Sequence, residues 1–256
     1  PYTNIGSTYA LNNGYITDIS ILPWMRRQQV VVSADGMLYN TEVSNFFDNT
    51  NVNNYIRKTN EIELTNVSGT FKSGDTIGYR TGGTFQTTAI VIGVYNYPNA
   101  NTSNTVSSNV RLYVAADGHS TTYSNNSTLY NATFDASGNW TVDNYTAYGT
   151  IVKTNHSAGL LLGANTSNST VTLSPLSSST DNYYTGNTLY IMGGTGLGTN
   201  AVITGYNGTT KVANVAISAA NGSNYSIGTF KTNEQGSYYS IFFIPNNTFH
   251  NGQRVF

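Results

Sequence analysis

The sequence has no cysteine, so neither a disulfide framework nor a thiolate metal site is open to it. Charge is nearly as scarce. Lys, Arg, Asp and Glu make up 9% of the 256 residues, against about 25% in ordinary soluble domains, which is not the profile of a cytosolic enzyme. A formal net charge of −1 leaves no basic footprint for a nucleic-acid partner. Long apolar runs are missing too: the longest, such as Ile241-Phe242-Phe243-Ile244, have the length of a strand rather than of a membrane-crossing helix, so no membrane partner is expected.

Catalytic vocabulary is equally thin. The histidines are His119, His156 and His250, each among polar, turn-forming residues, and no serine sits in a Gly-x-Ser-x-Gly elbow. They read as surface or turn histidines. The run Gly193 to Gly198 lacks the Lys-[Ser/Thr] of a phosphate loop and no helix is expected after it, so it reads as a β-turn. Asp117-Gly118-His119 and Asp48 to Asn51 offer oxygen ligands without the spacing of a calcium loop. The expectation is a chain with no catalytic residues, no cofactor and no metal.

What fills the space is Asn, Thr, Ser, Gly and aromatics, with 20 Tyr, 10 Phe and 25 Gly. Aromatic and β-branched residues favour strands, glycines supply turns, and strong helix formers are few. This excludes both a helical protein and a disordered one. The chain starts at Pro1 without a signal peptide and stops at Arg254-Val255-Phe256 in strand-like sequence, so it reads as a fragment of a longer polypeptide.

Along the chain, strands are expected at Gln28 to Ala34, before the Asp35-Gly36 turn, at Thr41 to Asn45, and from Tyr55 to Arg57. Later candidates are Thr128 to Phe134, Trp140 to Asp143, Thr150 to Lys153, Val171 to Leu173, Ser226 to Phe230 and Tyr238 to Ile244. Phe134 to Trp140 has the form of a hairpin. Four landmarks recur in order. Gly74-Asp75-Thr76-Ile77 returns as Gly186-Asn187-Thr188-Leu189, Gly82-Gly83-Thr84 as Gly193-Gly194-Thr195, and Ala89 to Gly93 as Ala201 to Gly205; Ala115 to Gly118 returns as Ala219 to Gly222. This marks a module A over 61–118 and a module B over 180–222, each a small barrel or sandwich, with a polar β/loop linker over 119–179.

Glu61 and Glu63 share one face of a strand, which could imitate a glycosidase pair; Ile62 and Leu64 on the other face make a solvated strand face the simpler expectation. Paired rings at Tyr183-Tyr184 and Tyr238-Tyr239, with Trp24 and Trp140, could stack on sugars, and Trp140, Tyr183 and Tyr184 are the candidate glycan-stacking residues.

Ile21-Leu22-Pro23-Trp24-Met25-Arg26-Arg27, then Leu38-Tyr39-Asn40-Thr41, then Phe46-Phe47-Asp48 resembles virion structural proteins of tailed phages, particularly marine, cyanophage-like ones. The same resemblance extends to Thr232 to Gly236, Ile244-Pro245-Asn246 and Gly252 to Phe256. Gly194 to Gly198 with Tyr206-Asn207-Gly208 resembles a small repeat of phage fibre proteins. Leu22 departs from the family's Ile, and the stretch between the two pieces is long.

The resemblance implies an all-β fold: a discontinuous β-sandwich-like domain from 15–58 plus 229–256, with the small modules inserted into it. It also implies a virion structural protein of a tail fibre, baseplate or tail-associated assembly, located in the virion and outside the cell. Its partners would be other copies of itself, as a trimer if fibrous, other tail proteins, and a host-surface glycan. The competing expectation is a glycan-binding adhesin or surface-layer module that uses exposed Tyr and Trp; a polysaccharide-degrading tailspike is a third.

Overall fold

The computed structural model describes residues 24–81, 84–96, 109–115, 123, 125–133, 136–138, 145–228, 230–244 and 248–250. The fold is all-β. In chain order the strands are β1 (Gln28–Ala34), β2 (Phe46–Phe47), β3 (Thr50–Asn51) and β4 (Ile56–Lys58), then β5 (Asn60–Gly69), β6 (Thr76–Thr81), β7 (Thr84–Asn96), β8 (Val110–Ala115), β9 (Thr128–Ala132) and β10 (Ala147–Asn155). There follow β11 (Ala158–Leu160), β12 (Gly163–Asn165), β13 (Thr170–Thr172), β14 (Thr188–Gly193), β15 (Asn200–Val202), β16 (Gly205–Asn207), β17 (Val212–Asn214), β18 (Asn224–Ile227) and β19 (Tyr238–Ile244). Thr41 to Asn45 forms no strand, only a bridge from Glu42 to Lys231. Asn45 is buried there, and Asn53 Oδ1 accepts from both its backbone N (2.9 Å) and its Nδ2 (3.1 Å), so local amide chemistry displaces a ladder.

Strands from early and late in the described residues build one sheet. β1 pairs antiparallel with β19 from Gln28↔Ile244 to Ala34↔Tyr238, and β4 flanks β19 on its other side. Beneath it Phe47, Val52, Ile56, Phe230, Tyr238, Phe242 and Ile244 form a core.

The second unit is a closed barrel in the order β10-β5-β8-β7-β6-β9. Alternation on β5 sends Ile62 and Leu64, both fully buried, into its core with Ile77, Leu112, Leu129 and Ile151. Each such side chain contributes about 1.5–3 kcal/mol relative to exposure. The third unit holds two sheets, β11-β18-β14-β15 and β12-β13-β17-β16, over a core that includes Leu173, Leu189, Ile191 and Tyr225. β11 and β12 are halves of one run, and so are β15 and β16. The cyclic order of runs is therefore that of the barrel.

The correspondence extends to register. Thr76 faces Ile90 and Ile77 faces Ala89; in the third unit Thr188 faces Val202 and Leu189 faces Ala201. Gly74 N donates to Val91 O and Val91 N to Asp75 O, both at 2.8 Å, while Gly186 N donates to Ile203 O and Ile203 N to Asn187 O, both at 2.9 Å. Gly74 (φ +93°) and Gly186 (φ +84°) occupy the left-handed conformation that the shared turn requires. The last landmark pair is different. Gly222 N donates to Leu161 O as Asn126 N donates to Ile151 O, so the counterpart of Gly222 is Asn126, and Ala115 lies within β8 opposite Ile90. Gly82, Gly83 and Gly118 lie outside the described residues.

Within the stretch expected as a polar β/loop linker, 119–179, the described strands are shared between the two units. Its described strands β9 and β10 complete the barrel, and β11, β12 and β13 belong to the third unit. The units we call A and B therefore span Asn60–Asn155 and Ala158–Ile227. They differ in where the closing strand falls: β10 comes last in A, whereas β11–β12 comes first in B, so one closing strand runs into the other through His156 and Ser157. Trp140 to Asp143 and most of the Phe134 to Trp140 hairpin lie outside the described residues; Ala136–Gly138 is a turn.

Candidate functional site

The face of β5 opposite Ile62 and Leu64 does not open to bulk water. Glu61 and Glu63 are half-buried, because the split sheet and B close over that side of the barrel. The result is a cleft of about 290 Å³ where the three units meet, lined by groups that include Lys58, Glu61, Glu63, Arg111, Lys153, Lys231 and Glu234. Seven charged side chains thus gather there in a chain with only 11 Lys and Arg and 12 Asp and Glu.

Arg111 on β8 organises the cleft. Its Nη2 donates to Glu63 Oε1 at 3.1 Å, and its Nη1 lies 3.3 and 3.2 Å from the two carboxylate oxygens of Glu234, which arrives from the split domain. The Arg111 side chain is only 14% exposed, whereas that of Glu234 is 48% exposed, so the second contact is screened by water. Burial raises the Glu61 carboxyl above its ordinary range, against the attraction of Lys58 and Arg111. Burial likewise lowers Lys58, opposed by Glu61. The one Arg111 guanidinium bridges Glu63 of the barrel and Glu234 of the split domain, so the carboxylate of Glu63 is engaged in a contact between units. The arrangement clasps units together.

Apolar and amide contacts complete the junction. Tyr239 lies over Gly93, where a Cβ would come within 2.5 Å of the ring, and its centroid is 4.9 Å from that of Tyr113. Asn233 Nδ2 donates to Tyr113 Oη at 3.3 Å. Buried Asn60 holds the crossing between A and B: its Oδ1 accepts from Ser157 N (3.1 Å) and Ala158 N (3.0 Å), and its Nδ2 donates to Ala158 O (3.1 Å). Lys58 N donates to Ser226 Oγ at 2.9 Å, tying the split sheet to B.

Of the expected sugar-stacking residues, Tyr183 and Tyr184 meet edge to face, with ring centroids 4.9 Å apart. Tyr183 is 42% exposed at the rim of the charged cleft, with burial raising its hydroxyl pKa. Tyr184 is 2% exposed inside B, its hydroxyl bonded to His156 O and to Ser178 N, so its ring offers no face to a ligand. Tyr238 is likewise buried, with its hydroxyl donating to Asn45 Oδ1 at 3.0 Å. Trp140, His119 and Asp117-Gly118 lie outside the described residues.

Exposed aromatics cluster elsewhere. Tyr145 and Tyr148 pack with Tyr130 on the barrel surface, and the Arg80 guanidinium lies 5.5 Å from the Tyr130 ring and 5.4 Å from that of Tyr145. His250 stacks on Trp24 at 3.9 Å. His156 is a buried histidine, not a surface one, because the A–B crossing passes through the interior.

Sequence reasoning passed over Arg111, Glu234 and Lys58. The available signal was scarcity: where charge is rare, each charged residue has a partner to be sought. Among the described residues there is no group of three metal-binding side chains and no helix long and apolar enough to cross a membrane. Comparison with protein-family models, with curated proteins and with solved structures finds no match.

Proposed function

We propose that this chain is a structural protein of a phage virion, in the tail fibre, baseplate or a tail-associated assembly, acting by assembly and surface presentation rather than by catalysis. One observation carries the reading: the two separated pieces that resemble tailed-phage proteins meet in one domain. Thr232 Oγ1 donates to Leu38 O at 2.6 Å and accepts from Thr41 N at 2.9 Å. Motif residues more than 180 positions apart in sequence thus support one another.

Self-association is part of the proposal. Val30, Val31, Leu38, Tyr39 and Phe46 are exposed by 39–68% on and near β1, an edge strand among the described residues. Apolar edges of this kind are normally covered by a neighbour. The test is mass spectrometry of density-purified particles set against cell-envelope fractions of the source. Recovery at stoichiometric level with the particles is expected; recovery in an envelope lattice and not in particles overturns the assignment. The Tyr130–Tyr145–Tyr148 cluster with Arg80 favours a second reading, a glycan-binding adhesin or surface-layer module, which that envelope result would support.

A further inference from the structure

β1 carries a self-complementary pattern. It pairs with β19 along its whole length and with no other strand among the described residues, so one row of backbone N–H and C=O groups is left for a neighbour. Its centre is Val30, Val31 and Val32, with Val31 56% exposed. Opposite charges mark its two ends. Arg27 stands just before the strand and Asp35 just after it, both exposed and equally far from Val31. Because Gln29 faces Phe243 and Ser33 faces Tyr239, alternation puts Arg27 and Asp35 on the sheet face that carries those two rings. The contacts agree: the Arg27 guanidinium lies 5.0 Å from the Phe243 ring centroid, and Tyr239 Oη donates to Asp35 Oδ1 at 3.5 Å.

A strand with an apolar centre and opposite charges at its ends matches a second copy of itself running the other way. With Val31 opposite Val31 on a two-fold axis, Val30 faces Val32, Gln29 faces Ser33, Gln28 faces Ala34 and Arg27 faces Asp35. Parallel pairing in register would set Arg27 against Arg27 and Asp35 against Asp35, and like charges directly opposite are unfavourable. We propose that two copies of this chain join through β1 in this antiparallel register, merging two three-stranded sheets into one. This dimer deepens the self-association proposed above, on which it rests, by fixing partner, direction and register. Such an isologous contact closes at two copies rather than three.

The chain has no native cysteine, so an introduced one reports on position. Opposed residues of an antiparallel pair have Cα atoms about 4.5–5.5 Å apart, within disulfide reach, whereas diagonal pairs lie at or beyond its limit. Val31→Cys in the full chain crosslinks to itself under mild oxidant. Val30→Cys and Val32→Cys crosslink in an equimolar mixture, and each alone at least about tenfold more slowly. Sedimentation gives twice the mass of one chain; Arg27→Asp raises the dimer dissociation constant at least about tenfold, and adding Asp35→Arg restores it to within about threefold. A dimer that Val31→Cys fails to crosslink, or that the double charge reversal fails to restore, overturns this register and leaves self-association standing. A monomer at every concentration overturns both, and protected amides at Val30 to Val32 in that monomer would mean that another segment of the chain covers the edge. Neither result bears on where the chain resides, which the particle and envelope fractions decide.

Discussion

At the scale of single residues, the sharpest consequence concerns His156. Its imidazole is 1% exposed with Nε2 lacking a hydrogen-bond partner, and burial, helped by the charge of Arg57, lowers its pKa to about 3. Between that value and the ordinary 6.5 the unfolded chain takes up a proton that the folded chain refuses. Stability from this group is complete above the unfolded pKa and falls as pH drops, by up to about 1.4 kcal/mol per pH unit. Glu61 works in the opposite sense, since its raised pKa lets the folded chain bind a proton first. His156→Phe isolates the histidine: melts at pH 7 and pH 5 should show the wild type losing about 2 kcal/mol more than the variant. Equal losses contradict the assignment.

Gly93 gives a second residue-scale prediction. A methyl group there meets the Tyr239 ring at 2.5 Å, so Gly93→Ala should cost about 1–3 kcal/mol in chemical denaturation. Adding Tyr239→Ala should remove most of the difference between Gly and Ala at position 93. Additive losses would show that the ring does not dock there.

Among the elements, the junction between β10 and β11 is the informative one. Asn60 satisfies three backbone groups of the crossing, and Asn60→Ala leaves them buried without partners, a loss of roughly 3 kcal/mol. Calorimetry should then resolve A and B as separate transitions where the wild type melts as one. A single transition at the wild-type temperature would show that Asn60 does not couple the modules.

Elements also show what could be read from sequence. Gln28–Ala34 and Tyr238–Ile244 were legible end to end, because β-branched and aromatic runs bounded by an Asp-Gly turn or a proline leave few alternatives. The shared turn at Gly74 and Gly186 was legible because glycine is demanded there. Which barrel a strand closes was not: Thr128–Ala132 and Ala147–Asn155 carry ordinary strand patterns, and nothing local in them names β6 or β5 as a partner. The charged cleft was hidden for the same reason. Glu63 and Glu234 are 171 positions apart, and they meet only because Arg111 lies between the units that carry them.

On the scale of the whole molecule, three units are joined by amide, aromatic and ionic contacts and, among the described residues, β1 is left as an apolar edge. If that edge is where copies meet, Val31→Lys, at a position 56% exposed, should lower the solution mass toward the monomer without lowering the melting temperature. Light scattering after size exclusion reads this directly, and an unchanged mass would remove β1 from the interface. The proposed role places this chain in a virion. Immunogold electron microscopy of purified particles from the source, with antibody raised against this chain, tests it most directly. Label confined to the tail or its tip is the predicted result, and label on the cell surface with bare particles would contradict it.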